Sequence, residues 1–310
     1  MKKIVFLIFI MVINSSLEAR LFNKKAKESN EETNIIGQGF SLEMQRKTVT
    51  LPEGAEILKN ISYDPKDLGN KEQAFDVYFP AKKDRKENSP VIIMVHGGAW
   101  MMGDKGYYPV VQNKINHWLP KGYVVISVNY EMSFNPNPLN QVENLYRALL
   151  FITNKTNEWK LDSEQFFLMG HSAGAHLVSL LTSHPQFIHH DPKIRWKAVI
   201  ALDSAVFDLP MIMNKKHYRF YDRVFGKDKE FWLKNSPYHQ IASKISPMLI
   251  VCSTKRKDSC PQAESYQEKA ALFQSDVRIL KKDLSHGDIN LQLGIDQTYT
   301  KEVDDFISKI

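Results

Sequence analysis

Gln165-Phe166-Phe167-Leu168-Met169-Gly170-His171-Ser172-Ala173-Gly174 is the stretch on which the reading of this chain turns. Its first half is a short, bounded apolar run, the pattern of a strand buried on both faces. Its second half is Gly-x-Ser-x-Gly, and Ala173–Thr182 carries helical spacing. A serine on so sharp a strand-to-helix turn sits on strained backbone, and flanking side chains would collide with neighbouring main chain, so both flanks are glycine. The turn holds a hydroxyl in the open at a helix N-terminus, whose amides favour developing negative charge. Composition alone would produce such a pentapeptide about 0.1 times in a chain this long. Its place after a buried strand therefore matters as much as the motif. Ser172 is the candidate nucleophile, and the N–H of Ala173 a candidate oxyanion donor.

Outward from this stretch, strand and helix patterns alternate. Ser41–Leu51, Glu56–Tyr63 and Ala74–Phe79 read as strands of an antiparallel edge. Pro90 introduces Val91–Val95, an apolar run that ends at His96-Gly97-Gly98-Ala99-Trp100. Further strands are expected at Tyr123–Val128, Ala198–Leu202, Met248–Val251 and Val277–Lys281, with helices at Tyr107–Trp118, Leu139–Thr153, near Ala263–Phe273 and at the end of the chain. On the predicted Leu139–Thr153 helix, Val142, Leu145, Leu149 and Ile152 form one stripe. Such alternation predicts an α/β fold, a mostly parallel sheet with helices on both faces, and ligands at the carboxyl ends of its strands. The glycine-rich loop after Val95 lies at such an end. Glycines there let backbone N–H groups approach a tetrahedral oxyanion, so Gly97, Gly98 and Ala99 are candidate donors beside Ala173. His96 reads as a structural residue of that loop, and Trp100 as a candidate pocket wall.

Together, His96-Gly97-Gly98-Ala99-Trp100, the following Gly103-Asp104-Lys105 and Gly170-His171-Ser172-Ala173-Gly174-Ala175-His176-Leu177 resemble the esterase/lipase-type α/β-hydrolases related to hormone-sensitive lipase. The likeness is closest to their small carboxylesterase and arylformamidase-like branch, and it runs from about Phe75 to the C-terminus. It implies a serine, an acid and a histidine in that chain order, with no metal and no organic cofactor. His286, in Leu284-Ser285-His286-Gly287-Asp288, stands where that family places its histidine. The family normally carries Gly and then Asp after the strand that matches Met248–Val251. Here the loop is Cys252-Ser253-Thr254-Lys255-Arg256-Lys257-Asp258-Ser259-Cys260, basic and without the glycine. Asp258 is the expected acid, and Asp203, at the end of the preceding strand, is the alternative. Asp288 reads as a surface or capping group. His171 and His176 are expected to orient the elbow or pack beneath it. His184, His189 and His190, near Asp191, could mark a metal site but read more simply as a polar loop.

Composition bounds the rest. Apolar residues make up 43% and charged residues 25% of 310 residues, the balance of a globular protein. The net charge of +6 is spread along the chain, which argues against a nucleic-acid surface. Lys2 and Lys3 precede an apolar run from Ile4 to Ile13 and then Asn14–Ala19, the pattern of an export signal cut after Ala19. Residues 20–36 read as a polar leader and 37–310 as the α/β-hydrolase domain, with 204–246 as a possible cap insertion rich in aromatic residues and Met. Those aromatics suit an apolar pocket wall and ordinary core equally. Membrane contact is expected only through an uncleaved signal. Two cysteines are too few for a disulfide scaffold. Cys252 and Cys260 are a candidate disulfide around the acid loop, a closure contributing roughly 2–3 kcal/mol. The expected function is hydrolysis of small carboxylic esters, short-chain or aryl, through an acyl-enzyme. The alternatives are an arylformamidase-like amide hydrolase and a catalytically silent interaction module.

Overall fold

The computed structural model describes residues 47–188, 193–204 and 206–310. The expected signal, the polar leader, and His189, His190 and Asp191 lie outside those residues. Eight strands form one sheet: β1 (Glu56–Ser62), β2 (Ala74–Phe79), β3 (Ser89–Val95), β4 (Val124–Val128), β5 (Leu161–His171), β6 (Ala198–Leu202), β7 (Met248–Ser253) and β8 (Val277–Lys282), in the spatial order β1-β2-β4-β3-β5-β6-β7-β8. β2 runs antiparallel to β1 and β4, and every pairing from β4 to β8 is parallel. The fold is that of an α/β-hydrolase.

Alternation of side chains explains the unbroken apolar runs. Val91, Ile93 and Val95 of β3 join the core on one face, whereas Ile92 and Met94 join the core on the other. The first face is covered by α2 (Pro138–Asn154), α3 (Ala173–Ser183) and α7 (Ser259–Ala271), the second by α1 (Tyr108–Trp118), α8 (His286–Leu291) and α9 (Gln297–Lys309). The expected stripe on α2 is buried along its length. Asn137 caps that helix by accepting from the Leu139 N–H, and Pro138 occupies its first position.

Two local expectations are corrected. Lys47–Leu51, the described part of the strand expected at 41–51, is not a strand: the Thr50 N–H donates to Gln112 Oε1 of α1 at 2.7 Å instead of joining a ladder. The helix expected near 263–273 begins at Ser259, with Asp258 at its N-cap. The segment 204–246 contains the short helices α4 (Leu209–Met213), α5 (Arg219–Phe225) and α6 (Lys229–Lys234), and its Phe207, Tyr221, Phe225 and Trp232 are buried in the main core, one of the two roles expected for its aromatics. Cys252 and Cys260 form a disulfide that ties the end of β7 to the first turn of α7.

Candidate active site

The sheet changes direction of growth at β3, which pairs with β4 on one side and β5 on the other. A crevice at the carboxyl ends is expected at such a switch point, and the loop after β3 meets the turn after β5 there. Ser172 has φ 57° and ψ −117°, the strained backbone foreseen for the elbow. Its N–H donates to Leu202 O at 3.0 Å, which anchors the turn to β6. The flanking glycines are obligatory: a Cβ on Gly170 would stand 2.3 Å from Gly174 O, and one on Gly174 2.2 Å from Val95 O.

The glycine-rich loop lies directly against Ser172. A Cβ added to Gly97 would meet the Ser172 Cβ at 3.0 Å. Gly98, Ala99 and Trp100 all have positive φ, so the loop folds back at once, and Gly98 O accepts from both Met101 N–H and Met102 N–H. Ala173 opens α3, so its N–H has no partner one turn back. The expected donors Gly97, Gly98, Ala99 and Ala173 thus come from the two segments that converge on Ser172. Trp100 is 0% exposed and cannot wall an open pocket. Its indole N–H donates to His176 Nδ1 at 3.1 Å, and His176 Nε2–H donates to Asn235 O at 2.8 Å. His176 therefore pins the loop, α3 and the 204–246 segment together. Burial lowers its pKa to about 4, so it acts as a neutral bridge.

His286 is the first residue of α8. Ser285 caps this helix through the Asp288 N–H and donates its hydroxyl to Asp288 Oδ2 at 2.6 Å, which makes Asp288 the capping group expected. The Ser172 hydroxyl and His286 Nε2 are 2.9 Å apart, and His286 Nδ1 donates to Asp203 Oδ2 at 2.6 Å. His171 Nε2–H donates to His286 O at 2.9 Å, with the two rings 4.6 Å apart. Lys114, wholly buried in α1, donates to Pro109 O, to Asn290 O and to Asn290 Oδ1, and so ties α8 down from below.

The expectation for the acid is corrected here. The carboxylate on His286 belongs to Asp203, whereas Asp258 sits at the start of α7 with no hydrogen bond to His286. Two causes are visible. Asp203 follows β6 with φ 48°, and its N–H is held by Val251 O at 2.7 Å. The disulfide-closed loop after β7 is short, and it turns Arg256 inward: Nη1 donates to Asp203 Oδ2 at 2.8 Å. Asp203 Oδ1 accepts from Ser253 N–H at 3.0 Å and from the Ser259 hydroxyl. Burial would raise the pKa of this carboxyl, but Arg256 and the bond from His286 more than offset that and hold it far below the usual range. His286 is lowered by burial and then by Arg256, against the opposing pull of Asp203.

His96 is also structural, as expected: its ring stacks on Tyr130 with centroids 4.4 Å apart, and its Nδ1–H donates to Gly97 O. Among the described residues no cluster of three His, Cys, Asp or Glu is placed to hold a metal ion.

Known proteins resemble this chain in sequence and in fold. The family model described as BD-FAE matches residues 75–272. A probable isoprenylcysteine alpha-carbonyl methylesterase of Oryza sativa subsp. japonica is 24% identical over 275 residues, 82% of this chain and 64% of that protein. A second rice methylesterase is matched over only 24% of its length, so the chain spans less than two thirds of either. Kynurenine formamidase of Danio rerio is 26% identical over 254 residues, 77% of this chain and 78% of that one. Among solved structures, a truncated carbohydrate esterase from gut microbiota superposes with TM-score 0.71 at 17% identity, covering 85% of this chain and 99% of that one. Esterase B from Lactobacillus rhamnosis gives 0.66 at 15%, covering 95% and 96%. These likenesses are likenesses of fold.

Proposed function

Because the chain belongs to the BD-FAE family, a family of α/β-hydrolase esterases, we propose that it hydrolyses small carboxylic esters through Ser172, His286 and Asp203. The observation that carries this reading is the unbroken row from Ser172 Oγ through both ring nitrogens of His286 to Asp203 Oδ2, at 2.9 Å and 2.6 Å. His286 Nε2 takes the Ser172 proton as Oγ attacks the ester carbonyl. The carbonyl oxygen becomes an oxyanion, received by N–H groups from Gly97, Gly98 and Ala99 together with Ala173. The tetrahedral adduct collapses, the C–O bond to the alcohol breaks, and His286 returns its proton to the departing oxygen. Water, deprotonated by His286, then attacks the acyl-serine, and the acid leaves as Ser172 regains its proton. Asp203 fixes the imidazole tautomer and stabilises the transient imidazolium.

The test is hydrolysis of p-nitrophenyl esters of increasing chain length by the purified protein. Ser172→Ala is expected to lose at least about 10³-fold in kcat. Wild-type activity in that variant, or failure of Ser172 to react with a fluorophosphonate probe, would overturn the reading. A second reading, formamide hydrolysis, is favoured by the matches to kynurenine formamidases from two fishes. It uses the same residues, and a preference for an N-formyl arylamine over every ester would select it.

We also propose that the chain is exported. Lys2, Lys3 and the apolar run from Ile4 to Ile13 support this, as does the Cys252–Cys260 disulfide, a bond suited to an oxidising compartment. N-terminal sequencing of the protein recovered outside the cytoplasm should begin at Arg20. Retention of the whole protein inside would count against export.

A further inference from the structure

We propose that Arg256 is a positioning residue, fixing Asp203 against His286 and keeping the imidazole unprotonated to lower pH than an acid partner alone would allow. Its consequence for turnover rests on the esterase reading; its effect on the imidazole does not. The loop after β7 is where an acid was expected from the sequence, and it presents a guanidinium instead. Arg256 Nη1 stands 2.8 Å from Asp203 Oδ2, 3.4 Å from the carbonyls of Asp203 and Ser204, and 3.3 Å from His286 Nδ1. His286 Nδ1 spends its proton on the same oxygen, Asp203 Oδ2, so the approach of Arg256 to that nitrogen is a contact between charges, not a second hydrogen bond.

The physical effect has two opposed parts. Arg256 holds the carboxylate in the plane that His286 needs, which favours the correct tautomer. It also neutralises part of the negative charge that an imidazolium would face, and it places a cation beside that imidazolium. The groups around His286 are otherwise balanced. His171, from the end of β5, is buried and kept neutral. Asp288, on the same helix, is bonded to Ser285, and Lys114 of α1 is bonded to Asn290 and Pro109. Tyr218 and Tyr221 of the 204–246 segment lie near Arg256, and they favour its charged form. Arg256 is therefore the side-chain cation in contact with the ring, and its own side chain is 29% exposed, open enough to be replaced without emptying a core site.

Arg256→Met, Arg256→Gln and Arg256→Lys separate the two parts. Gln keeps a donor for Asp203 without the charge, and Lys keeps the charge without the planar fork. The His286 ring proton is followed by NMR against pH, and kcat/KM for p-nitrophenyl acetate is measured over the same range. In Met and Gln the His286 midpoint should rise by about one pH unit, with the ascending limb of kcat/KM moving alongside it. In Lys the midpoint should stay within about 0.3 unit of wild type while kcat falls. A midpoint unmoved in folded Gln or Met protein overturns the proposal, as does a loss of kcat by one factor at every pH. Should the wild type hydrolyse no ester while the midpoint still moves, the esterase reading fails and the role of Arg256 stands.

Discussion

Asp203 receives four donors, from Ser253, Arg256, Ser259 and His286, and is wholly buried. A carboxylate so completely occupied has little freedom to do anything but hold His286. Asp203→Asn should therefore lower kcat by about 10³–10⁴-fold, because the amide can present its N–H and select the wrong tautomer. Asp258→Asn should leave kcat within about twofold, and esterase assays of the pair would decide which acid serves. The rate should also depend on pH in a set direction. His286 is held below the ordinary histidine value, so the fall of kcat/KM with acid should be displaced to lower pH than an unperturbed histidine would give. At this scale Ser172 was legible from its own turn, and His286 from the family resemblance, which places a histidine after the last strand. The acid was not. Which aspartate points inward depends on the left-handed backbone at Asp203 and on the inward turn of Arg256, and neither is written in the spacing of the residues.

The loop between β7 and α7 is the element that holds Asp203. Three of the four donors to Asp203 come from residues 253–259, and the Cys252–Cys260 disulfide brackets them. Replacing both cysteines with serine should cost about 2–3 kcal/mol in urea unfolding, the cost of reopening a short loop, and should lower kcat more than KM as the donors lose their register. The helix that carries His286 depends likewise on Lys114. Lys114→Met would leave the Asn290 and Pro109 acceptors buried without their donor, and about 1–3 kcal/mol of stability should be lost in the same measurement. The strand and helix periods showed most of these elements correctly, because apolar runs and stripes are local. Trp100 shows what they omit: its burial follows from packing against Tyr221 and Phe225, more than a hundred residues later in the chain.

Over the whole molecule, buried histidines set the response to acid. His96 and His176 are each lowered by burial to about 4 from an unfolded value of 6.5. Between those values the unfolded chain binds protons that the folded chain refuses, so stability should fall as pH drops from 6.5 to 4. Each histidine contributes about 3 kcal/mol to that loss. Asp203, whose pKa is lowered, adds to the decline at still lower pH, as pH falls below the ordinary carboxylate value. Urea melts at pH 7 and pH 5 should show a lower midpoint at pH 5, with the difference reduced in His176→Gln after allowing for its own destabilisation. A different consequence follows from the order of the sheet. β8 is the last strand in the chain and lies at the edge, and His286 follows it, 114 residues after Ser172. Emerging from the ribosome, the chain can lay down the strands up to β7 and expose its serine while nothing yet takes that proton. On the esterase reading proposed above, hydrolysis would begin only once the segment carrying His286 has docked, which would leave the unfinished polypeptide chemically quiet throughout its synthesis.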